Sequence, residues 1–349
     1  MKILYHWPNP STIYAGRTIA NGYKNAFKSL GHFFSFLTPQ SDQLAVLVEN
    51  KPDIFITSLN PLSLRFLSLD FLHQAKKNGT KVFVQLPFWD SPINRLRINE
   101  TKSLKDNTVY QKLISSNRYG DIYFAPCESN DERMTGFKEN LGIEYRTLLL
   151  AADDEIIYPE SSEAFQADIS YIGTNLPGKR ELLTYLMLEF RNSRHFALYG
   201  QDWTLASKIK GYLQRIGQYG NIPVMRSLVS PQLGLQDERK IYTSSTISIN
   251  IHEEYQKIFG DINERTFKIP LAGGFQIVDS VSSLGKYFTP GEEIVVAESK
   301  SDWVEKINYY LENPEDRRPI IEAGMKKVKQ FHTYKNRVKS IMAWYKELL

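Results

Sequence analysis

Cysteine is almost missing from this chain. Its 349 residues contain one, Cys127, which excludes an internal disulfide and a cysteine-built zinc site and fits a reducing compartment. Long apolar runs are missing as well: nothing approaches the roughly 18 to 20 residues that span a bilayer. The opening MKILYHWPNP also lacks the extended apolar segment of a secretory leader, so a cytoplasmic location is expected. A dominant charge is absent too. The 43 basic and 39 acidic residues leave a net charge of +4, spread along both halves and without the clustering of a nucleic-acid footprint, so no nucleic-acid partner is expected. No tract is of low complexity, and no motif repeats with a solenoid's period.

What is present reads as a folded two-domain protein. The length exceeds what one core usually supports, and 42% hydrophobic, 23% charged and 13% aromatic residues fit a globular interior and exclude disorder. Strand-like apolar runs occupy 2–7, 33–37, 53–58, 81–86, 121–125 and 145–150. A helix with apolar spacing covers 17–30 and stops at Gly31. The polar, proline-bearing stretch 151–162 marks a boundary. Beyond it come a strand at 168–173, a helix at 179–192, strands at 195–200, 246–251, 275–279 and 293–296, and helices over 301–311, 314–331 and 334–349. Continuous apolar strands separated by helices indicate parallel sheets covered on both faces. The expected fold is α/β: two Rossmann-like doubly wound domains, 1–155 and 156–330, with a C-terminal helical segment, 331–349, packing back on the first.

The stretch from 246 to 279 carries the clearest functional signal. A strand runs into a polar loop, a short helix opening near 263–266, and the Gly273-Gly274 turn. Small molecules bind beyond the carboxyl ends of strands in such sheets, and a helix N-terminus favours anions. Arg265, in the first turn, is the wrong charge for the helix dipole, which suggests a phosphate to hold. The other strands of this half end in Gly173, followed by Lys179 and Arg180 at a helix start, and in Gly200. Glycines there either admit a ligand closely or serve only as turns, and the Lys-Arg pair either grips a diphosphate or is solvated charge. In the first half, Asp90 follows the strand at 81–86 and is a candidate general base or, alternatively, a turn or cap residue before Pro92. Gly16 and Arg17 follow the first strand on the same rim. His6 and His332 read mainly as structural histidines, while Trp89, Trp203 and Tyr242 are either stacking platforms or core.

Several segments resemble one family. Residues 168–173 (DISYIG), 200–203 (GQDW), 263–276 (NERTFKIPLAGGFQ), 291–296 (GEEIVV) and 331–337 (FHTYKNR) look like the C-terminal half of CgeB-like, spore-protein-type glycosyltransferases. Residues 148–159 are similar to the segment joining the two domains of such enzymes. The resemblance is strongest over about 145–340. It implies a GT-B architecture binding a nucleotide-activated sugar on the second domain and an acceptor on the first. By position it implies Gly173, Lys179 and Arg180 at the diphosphate and Gly200 near the base or ribose. Asn263, Arg265 and Thr266 would surround the phosphates and sugar, with Gly273 and Gly274 in the turn behind them.

The chain departs from the family at one position. A glutamate that accepts bonds from the ribose hydroxyls is replaced by Lys268, which can only donate; Gly260 stands where a broader superfamily has another glutamate, and Glu264 is the nearest substitute. Asp-x-Asp, the usual carboxylate grip on a metal-bound diphosphate, does not occur, so no metal and no cofactor besides the nucleotide-diphosphate sugar co-substrate are expected.

The expected function is therefore metal-independent glycosyl transfer to a hydroxyl of a glycan, a lipid-linked glycan or a small acceptor. Charge on the departing diphosphate would be offset by Arg265 with Lys179 or Arg180, and Asp90 would assist deprotonation. The alternatives are a sugar-nucleotide epimerase and a non-catalytic glycan-binding or scaffold protein. Lys76, Lys77, Lys81, Arg95, Arg97, Lys102 and Lys105 form a basic region that offers peripheral contact with an anionic membrane at its inner face, or is simply solvated.

Overall fold

A computed structural model describes residues 1–90, 103–201, 203–220, 222–226 and 232–349. Two compact units emerge, one formed by Met1–Leu149 with Arg337–Leu349 and the other by Leu150–Asn336, where the sequence suggested divisions after 155 and 330.

In the first unit, six strands run parallel in the order β2-β1-β3-β4-β5-β6: Lys2–His6 (β1), Phe33–Leu37 (β2), Ile54–Ser58 (β3), Lys81–Gln85 (β4), Ile122–Ala125 (β5) and Arg146–Thr147 (β6). The apolar runs became strands because both faces are covered. Ile54, Phe55, Val82, Phe83 and Val84 are all fully buried. The helix Ala15–Ser29 buries Thr18, Ala20, Tyr23, Ala26 and Phe27 and ends where Gly31 adopts φ +82°, a left-handed conformation that glycine enters without a Cβ clash. Side-chain caps start the next helices: Asp42 accepts from Ala45 N–H, Asn60 from Ser63 N–H and Ser68 from Phe71 N–H. The run at 145–150 is strand only at Arg146–Thr147. β6 lies at the edge and pairs on one side alone, through Phe124↔Arg146 and Ala125↔Thr147. Arg337 donates to the Leu149 carbonyl at 2.9 Å, and Arg146 pairs with Glu347 at 2.6 Å, tying the C-terminal residues into this unit.

The second unit repeats the plan with five parallel strands in the order β11-β10-β9-β7-β8: Ala167–Ile172 (β7), Phe196–Tyr199 (β8), Ser245–Asn250 (β9), Gln276–Asp279 (β10) and Val295–Ala297 (β11). Its core joins Ile169, Ile247, Ile249 and Ile277 to Leu183, Leu186 and Phe190 of the helix Pro177–Phe190 and to Trp303 and Ile307 of the helix Lys300–Glu312. His332 ends the helix Pro314–Phe331, lies flat on Phe267 with ring centroids 4.7 Å apart, and accepts the Ala152 N–H through its carbonyl. It serves as a structural joint, as its position suggested.

Counted within each unit, both sheets follow the strand order 2-1-3-4-5, with β6 as a sixth strand in the first. Chain direction across the sheet reverses beside the first strand, so connections diverge between β1 and β3 in one unit and between β7 and β9 in the other. Such a switch point opens a crevice beyond the strands' carboxyl ends.

Candidate functional site

At the second unit's switch point, β9 ends in Asn250, a fully buried amide that organises its surroundings. Its Nδ2 donates to Thr266 Oγ1 and Gln276 Oε1, both at 3.0 Å. Its Oδ1 accepts from Asn263 Nδ2 at 2.9 Å and from Arg265 Nε at 3.0 Å. A polar group in the middle of an apolar sheet is tolerated only when its hydrogen bonds are satisfied, and here they also aim the guanidinium. Arg265 Nη2 donates to the Ile251 carbonyl at 3.2 Å, and the group stands 5.8 Å from the Tyr171 ring centroid.

One residue beyond Ile251, His252 is fully buried and meets Asp279 at 2.6 Å; its backbone N–H also donates to both Asp279 oxygens at 3.0 Å. Burial raises the Asp279 carboxyl, but His252 and Lys257, the latter at 2.6 Å, outweigh it and hold its pKa below the ordinary value. Burial pushes the His252 imidazole down, and the charges of Arg265 and Lys179 add to that. The pair is therefore a carboxylate accepting from neutral His252, whose Nε2 faces Thr266 Oγ1 at 3.4 Å. Lys179, in the first turn of the helix Pro177–Phe190, is buried, whereas Arg180 is exposed and donates to Asn175 Oδ1 at 3.0 Å.

Gly173 and Gly200 sit at the ends of β7 and β8 in backbone contact with each other: a Cβ on Gly200 would lie 2.0 Å from the Gly173 carbonyl oxygen, and Gly200 has φ +127°. Trp203 Nε1 donates to that same carbonyl at 3.1 Å. Gly273 and Gly274 turn the chain from the helix Arg265–Leu271 into β10, with Gly274 against the Tyr242 carbonyl.

Lys268 is buried and lies 3.1 Å from Glu238 and 3.4 Å from Glu264. Burial opposes its charge, yet the two carboxylates prevail and raise its pKa. Glu264, also buried, accepts from the Tyr334 hydroxyl at 2.8 Å.

At the first unit's switch point, a cavity of about 210 Å³ opens between the ends of β1 and β3, lined by Tyr5, His6, Trp7, Asn9, Gly16, Tyr23, Thr57, Ser58, Asn60, Gln85 and Phe124 among others. Among the described residues no carboxylate, lysine or arginine lines it. His6 bonds Thr57 Oγ1 at 3.0 Å, and burial pushes its pKa down to about 3, so it is neutral. Trp7 Nε1 and Asn9 Oδ1 are buried with no hydrogen-bonding partner among the described residues.

Comparison with known proteins gives the architecture a name. Residues 179–343 match the family described as "Glycosyl transferase-like"; the description does not specify the spore-protein type. No curated protein matches the chain. Similar solved structures include sucrose-phosphate synthase from Thermosynechococcus elongatus, with a TM-score of 0.63 and 10% identity over 99% of this chain and 98% of that one. The catalytic domain of starch synthase IV from Arabidopsis thaliana, bound to ADP and acarbose, gives 0.62 and 9% over 99% of both. Anabaena HepE in complex with UDP and glucose gives 0.58 and 12% over 99% and 100%. The fold is GT-B.

Within this GT-B fold the structure gathers Asn263, Arg265 and Thr266 around Asn250, and the neighbouring His252 feels the charge of Lys179. Gly16 reaches the first-unit cavity, and Arg17, beside it in the first turn of the helix Ala15–Ser29, is half-buried. Asp90 is not part of that cavity's lining; its carboxylate pairs with Lys105 and its N–H donates to the Arg133 carbonyl at 2.8 Å. Of the basic region, Lys76 pairs with Asp121 at 3.0 Å, and Arg95, Arg97 and Lys102 lie outside the described residues, as do Pro92 and Asp202. Sequence reasoning missed Asn250, Gln276, Lys257 and Asp279. The signal available was polarity inside runs that are otherwise apolar, TISIN and QIVD, where a buried amide or carboxylate needs a partner.

Proposed function

We propose that the chain is a glycosyltransferase that moves a sugar from a nucleoside-diphosphate sugar to a hydroxyl. The observation that carries this reading is the Arg265 guanidinium, oriented by Asn250 at the switch point of a GT-B unit. Its bonds among the described residues use Nε and Nη2, and in this reading Nη1 meets the anionic ligand while Lys179 adds positive charge nearby. The family description and the UDP and ADP named with the structural neighbours support a nucleoside diphosphate as the donor's leaving group.

In the reaction, the acceptor oxygen bonds to the anomeric carbon as the bond from that carbon to the diphosphate oxygen breaks. The electron pair leaves with the diphosphate, where Arg265 and Lys179 offset the charge. The hydroxyl proton passes to a base, the role we assign to Asp90, which lies outside the lining of the first-unit cavity, so that it takes the proton from a hydroxyl projecting beyond that cavity and must release Lys105 to do so.

The first-unit cavity is the proposed acceptor site. Aromatic rings beside neutral polar groups suit the apolar face and hydroxyls of an uncharged pyranose. Its volume lies below the range for drug-sized ligands, which favours one ring over a chain.

Titration calorimetry with UDP, ADP and GDP tests the donor assignment. One of them is expected to bind, with Arg265→Ala weakening it about tenfold or more; full affinity in that variant would overturn the phosphate role. Turnover with and without a chelator then tests metal independence.

A further inference from the structure

The helix Leu205–Gly220, in the connection between β8 and β9, is turned inside out. Leu205, Ile209, Tyr212, Leu213, Ile216 and Tyr219 are 36 to 74% exposed, while Gln214 is buried at 1%. At 100° per residue these six side chains occupy an arc of about 120°, and Gln214 lies opposite it. A helix packed for a globular interior would show the reverse. The helix has its main contacts with the short helix Pro223–Arg226, where Val224, 79% exposed, extends the apolar surface.

Charge indicates what covers this face. From Trp203 to Gln236 the sequence holds Lys208, Lys210, Arg215 and Arg226 and no acidic residue. On the helix, Lys208 and Arg215 border one side of the apolar arc and Lys210 the other, all three exposed. A second copy of the chain, joined by a two-fold axis across this face, would bring the same cations against each other. An anionic lipid surface accepts both features at once. The apolar arc enters the boundary between headgroups and acyl chains, and the bordering cations meet lipid phosphates.

We propose that the helix Leu205–Gly220 is an in-plane membrane anchor that holds the second unit on an anionic bilayer. This surface is distinct from the basic region at 76–118, and the assignment does not depend on the glycosyl-transfer reading.

Vesicle co-sedimentation of the full chain tests it, using phosphatidylcholine vesicles with and without phosphatidylglycerol. The protein is expected to pellet with the anionic vesicles only and to be released as sodium chloride is raised. The double variant Ile209→Glu with Tyr212→Glu should abolish binding. Lys208→Ala with Lys210→Ala should weaken it about thirtyfold. Because all four side chains are exposed, each variant should keep the wild-type circular dichroism spectrum and melting temperature. Failure to bind anionic vesicles, or equal binding by the Glu double variant, overturns the proposal. So does light scattering that shows a dimer in the wild type and a monomer in that variant, which would assign the face to a second copy.

Discussion

Arg265 is held by Asn250 through a 3.0 Å bond from the guanidinium Nε to an amide oxygen that also accepts from Asn263. The guanidinium is thereby fixed before any ligand arrives, and a preorganised cation loses less side-chain entropy on binding. Replacing Asn250 by Ala should weaken nucleotide binding although Asn250 is not proposed to touch the ligand. Since both act through one group, Asn250→Ala with Arg265→Ala should bind no more weakly than Arg265→Ala alone. Calorimetry on the four proteins measures the coupling, and strictly additive losses would show that Asn250 does not work through Arg265.

Lys268 also anchors a buried network, but a structural one. With Glu238 and Glu264 as its partners, Lys268→Met leaves two largely buried carboxylates uncompensated and should cost about 3 kcal/mol or more in urea unfolding. The pH dependence follows from the sign of the shift. A lysine whose pKa is raised in the folded state stabilises fully below its ordinary value of 10.5 and loses that contribution as pH climbs above it. The stability gap between wild type and Lys268→Met should therefore narrow above about pH 10.5. A gap that stays constant up to pH 11.5 would remove the charge interaction as its source.

Much of the fold could be read from the chain because the centres of parallel strands buried on both faces must be continuously apolar, as IFI in β3 and VFV in β4 are. The limits were equally physical. Residues 145–150 also read as an apolar run, yet at the sheet edge only Arg146 and Thr147 form strand pairs, with Leu148 adding one backbone bond to Ala125. The helix Leu205–Gly220 escaped notice because Gly211, Gly217 and Gly220 weaken a helical reading. At the site, Arg265 announced itself by having the wrong charge for its helix end. Nothing local revealed that Lys268 would find Glu238, thirty residues away on another helix.

His6 supplies a prediction in the acid range. Burial lowers its pKa from 6.5 to about 3, so below pH 6.5 the unfolded chain takes up a proton that the folded one refuses. Stability should fall by about 1.4 kcal/mol per pH unit through that window, beyond what other groups contribute. His6→Gln keeps a polar partner for Thr57 without titrating, so its melting temperature should fall less between pH 6.5 and 4.5. Parallel curves for the two proteins would contradict the buried neutral histidine.

Gly200 separates packing from ligand approach. Its φ of +127° and the Gly173 carbonyl oxygen 2.0 Å from a would-be Cβ leave an alanine no relaxed position, since the obstruction is backbone. Gly200→Ala should destabilise by about 2 kcal/mol or more. At Gly173 the obstruction is the Tyr171 side chain, with its hydroxyl 2.5 Å away, and this ring is buried in the core. Because the obstruction is side chain rather than backbone and no positive φ is required, Gly173→Ala should destabilise but cost less. Melting both variants alongside nucleotide titration distinguishes the two uses of glycine here. If Gly200→Ala melted like the wild type but no longer bound nucleotide, the glycine would be there for the ligand. The expected result, a clear loss of stability with affinity retained by the protein that stays folded, assigns it to the contact between the β7 and β8 ends.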